Sequence, residues 1–276
     1  MYKKLLIKHI ILDSTILAVS NDDEVILLLK SCFESFDCIL SSENIVEFKY
    51  CIEIIKSEDC FNVKCSDFTK GVTDLREVLG LTIRYCIDNL TRENDDSIFL
   101  HGASTCYKNY GVAFLGNTGM GKSSISYMLH KNNDISYLSD DVIGLDMKTL
   151  KMFSFPKPIF LRELSHLDVY DEVKTNIIKF GLDTRHYKIC EKHVSTSELI
   201  KLRRIFIIER DEKIGFKYNL LNKTDSFIHI WKNMLYKDNV LEKRGIALKI
   251  AEKVPTYKLS YASLSSDINK IKSMIL

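Results

Sequence analysis

Eight consecutive residues carry the clearest chemistry in this chain. Gly116, Asn117, Thr118, Gly119, Met120, Gly121, Lys122 and Ser123 fit the pattern G-x-x-x-x-G-K-[ST] without a mismatch. In such a loop, successive backbone N–H groups wrap a phosphate chain, and the following helix presents its positive end. Lys122 would reach the β- and γ-phosphates of a nucleotide, and the Ser123 hydroxyl would ligate Mg²⁺. Ser124 extends the cradle as a donor to the α-phosphate. The competing reading is a glycine-rich turn that happens to precede a helix.

Two carboxylates, Asp140 and Asp141, follow the loop in sequence. Mg²⁺ binds one or two carboxylates together with substrate phosphates. An aspartate there can equally take a proton from an attacking hydroxyl. Aspartate pairs are also common in solvated turns. His101 precedes the loop, and its spacing alone fits a satisfied core histidine.

The elements around these residues have to position them. Gly111 to Leu115 is a compact apolar run that reads as a buried strand, and Ser124 to His130 places Ile125, Met128 and Leu129 at helical spacing. Strand, glycine loop and helix is the arrangement that a phosphate cradle requires. Ile98 to Cys106 and the strand at 111 read as strand, turn, strand, with tight antiparallel pairing. Ile135 to Leu138 is a short strand ending on the aspartates. Lys151 to Phe155 is another, broken by Pro156-Lys157-Pro158, and Ile159 to Glu163 is a third. Ser165 to Leu199 is polar and weakly periodic, and reads as a mobile excursion such as a lid or substrate-binding segment. Leu202 to Glu209, Lys217 to Leu220 and Pro255 to Leu259 read as strands, and Thr224 to Lys243 and Ser263 to Leu276 as helices.

Residues 1–72 form a small α+β module by the same criteria. It has a hairpin around Asp13, a helix from Asp22 to Phe33 with an acidic first turn, and strands at Ile45 to Ile55 and Cys60 to Cys65. No motif ties it to chemistry. The domain boundary is expected just before the helix Thr73 to Asn89, whose wide apolar stripe looks packed against the nucleotide domain. Residues 73–276 are then the nucleotide-binding domain.

Composition narrows the classes. With 39 basic and 37 acidic residues the net charge is +2, which argues against a general nucleic-acid coat. No apolar run reaches the roughly 18 residues of a membrane span. No secretory signal is evident, so a cytoplasmic location is expected. The eight cysteines contain no C-x-x-C pair and read as reduced thiols.

Taken in order, His101-Gly-Ala-Ser104, Gly111 to Gly116, the glycine loop, Leu138-Ser-Asp-Asp141 and Pro156-Lys-Pro158 resemble the catalytic domain of the HPr kinase/phosphorylase superfamily. That resemblance implies an α/β fold related to phosphoenolpyruvate carboxykinase, with the P-loop in a mixed sheet. It implies transfer of phosphate from ATP, with Mg²⁺, to a serine of a peptide or small protein, and it allows a homo-oligomer. It makes Asp140 the base and Asp141 its partner near the metal, with the reverse assignment open. It places His101 beside the phosphates, makes Glu163 a further carboxylate near the metal, and lets Arg162 meet phosphate oxygens. Bifunctional members carry an acidic residue where this chain has Ser124, and no phosphorylase signature follows Glu163. The chain is thereby more similar to stand-alone serine kinases, including tailoring kinases of ribosomal peptide clusters. The other readings are an HPr-type kinase/phosphorylase, an ATP-binding sensor or scaffold, and a small-molecule kinase.

Overall fold

The computed structural model describes residues 2–41, 47–92, 94–131, 134–162, 176–189, 193–235 and 239–276. The chain divides into two compact units, one of Met1–Asn94 with Asp171–Ile189, the other of Asp95–Tyr170 with Cys190–Leu276. Each is a mixed α/β structure.

The first unit is built on a six-stranded sheet of β1 (Lys3–His9), β2 (Ser14–Ser20), β3 (Asp37–Ser41), β4 (Tyr50–Lys56), β5 (Phe61–Cys65) and β6 (Thr69–Val72), in the order β3-β1-β2-β4-β5-β6. β2 and β4 are parallel and the other neighbours antiparallel. Asp13, with a positive φ of 44°, turns the β1–β2 hairpin as expected. Alternation puts Leu5, Ile7, Ile16, Ala18, Ile52 and Ile54 inside. Helix α1 (Asp23–Cys32) starts where Asp22 accepts a hydrogen bond from the Val25 N–H, as the acidic run suggested.

Helix α2 (Leu75–Arg92) differs from expectation. Its apolar stripe, Val78, Leu79, Ile83, Cys86 and Leu90, is buried within the first unit, where the helix packs on α1, β2 and β4. An amphipathic stripe requires a partner without naming it. The division therefore falls after Asn94 rather than before residue 73. The same unit takes back the hairpin of β14 (Ile177–Phe180) and β15 (Asp183–Lys188), which packs on α2. Part of the stretch Ser165 to Leu199, read from sequence as a mobile excursion, is thus a regular hairpin. Residues 165–175 and 190–192 of the same stretch lie outside the described residues.

The second unit carries β7 (Ser97–Leu100), β8 (Gly102–Tyr107), β9 (Tyr110–Leu115), α3 (Lys122–His130), β10 (Ile135–Ser139), β11 (Ile143–Asp146), β12 (Lys151–Phe153) and β13 (Ile159–Leu161). β16 (Leu199–Arg210), β17 (Lys217–Leu220), α4 (Lys223–Lys232), α5 (Val240–Lys253), β18 (Thr256–Tyr261) and α6 (Leu264–Ile275) complete it. The main sheet runs β10-β8-β9-β16-β12-β11-β7. β16 is long enough to serve three neighbours. Its first residues pair antiparallel with β12, while further along it runs parallel to β9 and to β18. β17 adds antiparallel to β18. The sheet is mixed, and the β8–β9 pairing is the expected antiparallel one.

Ala113, Leu115, Ile205 and Ile207 face a core completed by Ile230, Met234, Ile246 and Ile250. The intervening residues stack from strand to strand, Phe114 on Phe206 at 5.7 Å and Phe206 beside Tyr257 at 5.6 Å. The single helix expected over Thr224 to Lys243 is two, because α4 ends at Asn233 and a left-handed Asn239 opens α5. Among the described residues, no helix is long and apolar enough to cross a membrane.

Candidate functional site

The site lies in the second unit, where β9 ends, and backbone geometry sets its shape. Gly116, Gly119 and Gly121 all have positive φ, at 148°, 86° and 86°. At Gly116 a Cβ would stand 2.7 Å from the Ile208 carbonyl, and at Gly121 it would collide with the Tyr261 hydroxyl. Glycine is required at both positions by contact and by conformation. Between them Asn117, Thr118 and Gly119 form an exposed tip.

Helix α3 begins at Gly121 with no side-chain cap and no acidic residue in its first turn. Helix α1, by contrast, has both. The first amides of α3 therefore point into the loop without an internal partner, which is the condition for holding an anion. Lys122 is buried, and its Nζ donates to the Gly116 carbonyl at 2.9 Å and the Asn117 carbonyl at 3.2 Å. Burial lowers its proton affinity, and the nearby Asp141 and Asp140 carboxylates oppose that shift. The Tyr261 hydroxyl, at the end of β18, donates to the Met120 carbonyl at 2.7 Å. Burial pushes the Tyr261 phenol up to about 12, so it keeps its proton and remains a donor.

The carboxylates come in from the end of β10. Ser123 Oγ donates to Asp140 Oδ1 at 2.7 Å, and the Phe160 N–H donates to Asp140 Oδ2 at 3.2 Å. Asp140 is 1% exposed. Burial and then the Asp141 carboxylate push its proton affinity up to about 6, while Lys157, Ser123 and Phe160 favour the charged form. Asp141 sits in a left-handed turn with φ 62°, and its side chain is 32% exposed. Neighbouring residues in one turn thus face different surroundings.

His101 is held by the same turn. Its Nδ1 lies 3.1 Å from the Asp141 carbonyl oxygen, which can only accept, so Nδ1 carries the proton and Nε2 keeps its lone pair. Burial and then the Lys122 charge lower the His101 pKa, which keeps the imidazole neutral. Arg162 is exposed and adds positive potential at Lys122.

Lys122, Ser123, Asp140, Asp141 and His101 therefore converge around one loop. No bond is described for the Ser124 side chain, and Glu163 lies outside the described residues. Sequence reasoning missed Lys157 and Tyr261. Lys157 is 1% exposed and stands 3.3 Å from Asp141 Oδ2 and 3.8 Å from Asp140 Oδ2. The signal was a lysine between two prolines, a place where a lysine has little freedom to reach solvent. Tyr261 left no local signal.

No protein-family model matches the chain, and no curated protein matches it. Among solved structures the chain is similar to the Hpr(Ser) kinase/phosphatase from Coxiella burnetii. The match has 14% sequence identity and a TM-score of 0.33, and covers 64% of this chain and 87% of that one. So loose a likeness leaves the geometry of the loop to support any functional reading.

Proposed function

We propose that the chain is a phosphotransferase that moves the terminal phosphoryl group of ATP to a serine hydroxyl of a peptide or small protein. The observation that carries this is the Ser123–Asp140 hydrogen bond at the foot of a glycine loop that also contains Lys122. Phosphate donors, a lysine, a hydroxyl and two carboxylates are the parts that phosphoryl transfer requires. A protein that only sensed nucleotide would have no use for a second carboxylate beside the first.

The residues fit a nucleotide with Mg²⁺. Gly116 to Ser124 would receive the phosphates, and Lys122 would exchange its two carbonyl partners for phosphate oxygens. Ser123 and Asp140 would hold the metal, since a hydroxyl and a carboxylate are hard oxygen donors. Mg²⁺ would supply positive charge against the phosphate oxygens and would draw Asp140 back to its ionised form.

For the two aspartates we propose the reverse of the roles first expected, an exchange that the resemblance leaves open. The raised proton affinity of Asp140 would suit a general base, but both its oxygens already accept bonds and it is 1% exposed. Geometry decides before pKa does. Asp141, with its side chain 32% exposed, is the group that an acceptor hydroxyl can approach. We therefore assign Asp141 as the base that takes the serine proton and Asp140 as the partner of Ser123. His101, neutral and fixed through Nδ1, offers Nε2 as an acceptor near the same turn.

Incubation with ATP, Mg²⁺ and candidate acceptors, read by mass spectrometry, tests the reading. Transfer of one phosphoryl group to a serine supports it. Asp141→Asn should retain nucleotide binding and lose transfer. Unchanged transfer in that variant would remove Asp141 as the base.

A further inference from the structure

Lys157 is absent from the reaction just proposed, yet it is as enclosed as Asp140, each 1% exposed. Its Nζ lies 3.3 Å from Asp141 Oδ2, 3.8 Å from Asp140 Oδ2, 3.3 Å from the Pro158 carbonyl oxygen, and 4.0 Å from the centroid of the Phe160 ring. A buried lysine ordinarily extends its head to water. This one does not: its side chain is 1% exposed, and its backbone is held on both sides. The Lys157 N–H donates to the Phe155 carbonyl at 2.9 Å, and the Lys157 carbonyl accepts from the Tyr137 hydroxyl at 2.8 Å. The neighbouring prolines restrict the chain further.

Two carboxylates and a carbonyl are the ligands a hard divalent cation takes, and a ring face also attracts positive charge. We infer that Lys157 is a positioning residue whose ammonium fills a cation site between Asp140 and Asp141. The site then accepts a single divalent ion, the one assigned to Ser123 and Asp140, and needs no second. The inference rests on that assignment for the identity of the first ion, but not for the filled site itself. Charge balance supports it. Asp140 and Asp141 are offset by Lys122 and Lys157, and removing Lys157 leaves a net negative charge among the remaining three. Among the described residues no three His, Cys, Asp or Glu side chains come together as a metal site.

Mn²⁺ is the probe, followed by electron paramagnetic resonance on the full chain without nucleotide. Lys157→Ala should bind Mn²⁺ at least about tenfold more tightly than the unsubstituted protein, since it removes a positive charge and opens its volume. Adding Asp141→Asn to Lys157→Ala should abolish the gain. Equal Mn²⁺ affinity in a folded Lys157→Ala variant, checked by circular dichroism, would overturn the inference. If that variant does not fold, Mn²⁺ counted on the unsubstituted protein decides. One ion per chain with ATP supports the filled site, and two overturn it. A chain that binds no ATP defeats the functional reading instead. The nucleotide-free titration then still tests Lys157, because uptake of two Mn²⁺ ions per chain by the unsubstituted protein would contradict it.

Discussion

Replacing Asp140 by asparagine should stabilise the second unit at pH 8 while removing its part in the chemistry. The carboxylate is 1% exposed and its pKa is raised from 3.8 to about 6, by burial first and Asp141 second. A folded-state pKa above the unfolded one means that the native protein holds a proton which the unfolded chain has released. The resulting stability is complete below pH 3.8 and is lost as the pH rises to about 6. A rise of about two units corresponds to roughly 3 kcal/mol lost by neutral pH. Asparagine is neutral throughout and escapes that loss. It can accept from only one of Ser123 Oγ and the Phe160 N–H, and the missing hydrogen bond costs about 1 kcal/mol. The variant should therefore be more stable by about 2 kcal/mol at pH 8 and less stable by about 1 kcal/mol at pH 4. Trp231, the single tryptophan of the chain, lies in α4 against the core of the second unit and reports its unfolding in urea. Urea curves of both proteins at pH 4, 6 and 8 give the comparison. A stability difference that does not change with pH would refute the reasoning, because Asp140 would then not be a carboxylate disfavoured in its charged form.

Two further substitutions probe the supports of the site and of the first unit. Tyr261→Phe removes the bond to the Met120 carbonyl and should lower stability by about 1 kcal/mol. It should also weaken nucleotide binding several-fold, read by displacement of a fluorescent ATP analogue. Asp22→Ala removes the cap on α1 and the partner of Lys56. It should cost about 1 kcal/mol in thermal unfolding of the first unit and leave nucleotide binding unchanged.

Parts of this protein are legible in its sequence because they are local. The glycine loop, the helix after it and the strand before it are contiguous, and their turn chemistry and period are visible in a short window. The same holds for the Asp13 hairpin and the Asp22 cap. What was not legible depends on contacts between distant residues. The stripe on α2 shows that the helix is buried but not where. In the β14–β15 hairpin Ile178 and Tyr187 alone are fully buried, and the adjacent Ile177 and Ile178 break the alternation, so its period is faint. Asp140 and Asp141 are identical in type and adjacent, and only their burial, 1% against 32% exposed side chains, tells them apart. Lys157 shows the same limit in part, since its flanking prolines mark a constrained backbone but not which carboxylates its charge will meet.

The central claim is that Gly116 to Ser124 binds the phosphates of ATP. Isothermal titration of the full chain with ATP and Mg²⁺ tests it most directly, with Lys122→Ala beside it. The account predicts one nucleotide per chain, with affinity lower by about a hundredfold in the variant, because a charged hydrogen-bonding partner of the phosphates is lost. No ATP binding by the unsubstituted protein, or equal affinity in Lys122→Ala, would contradict it.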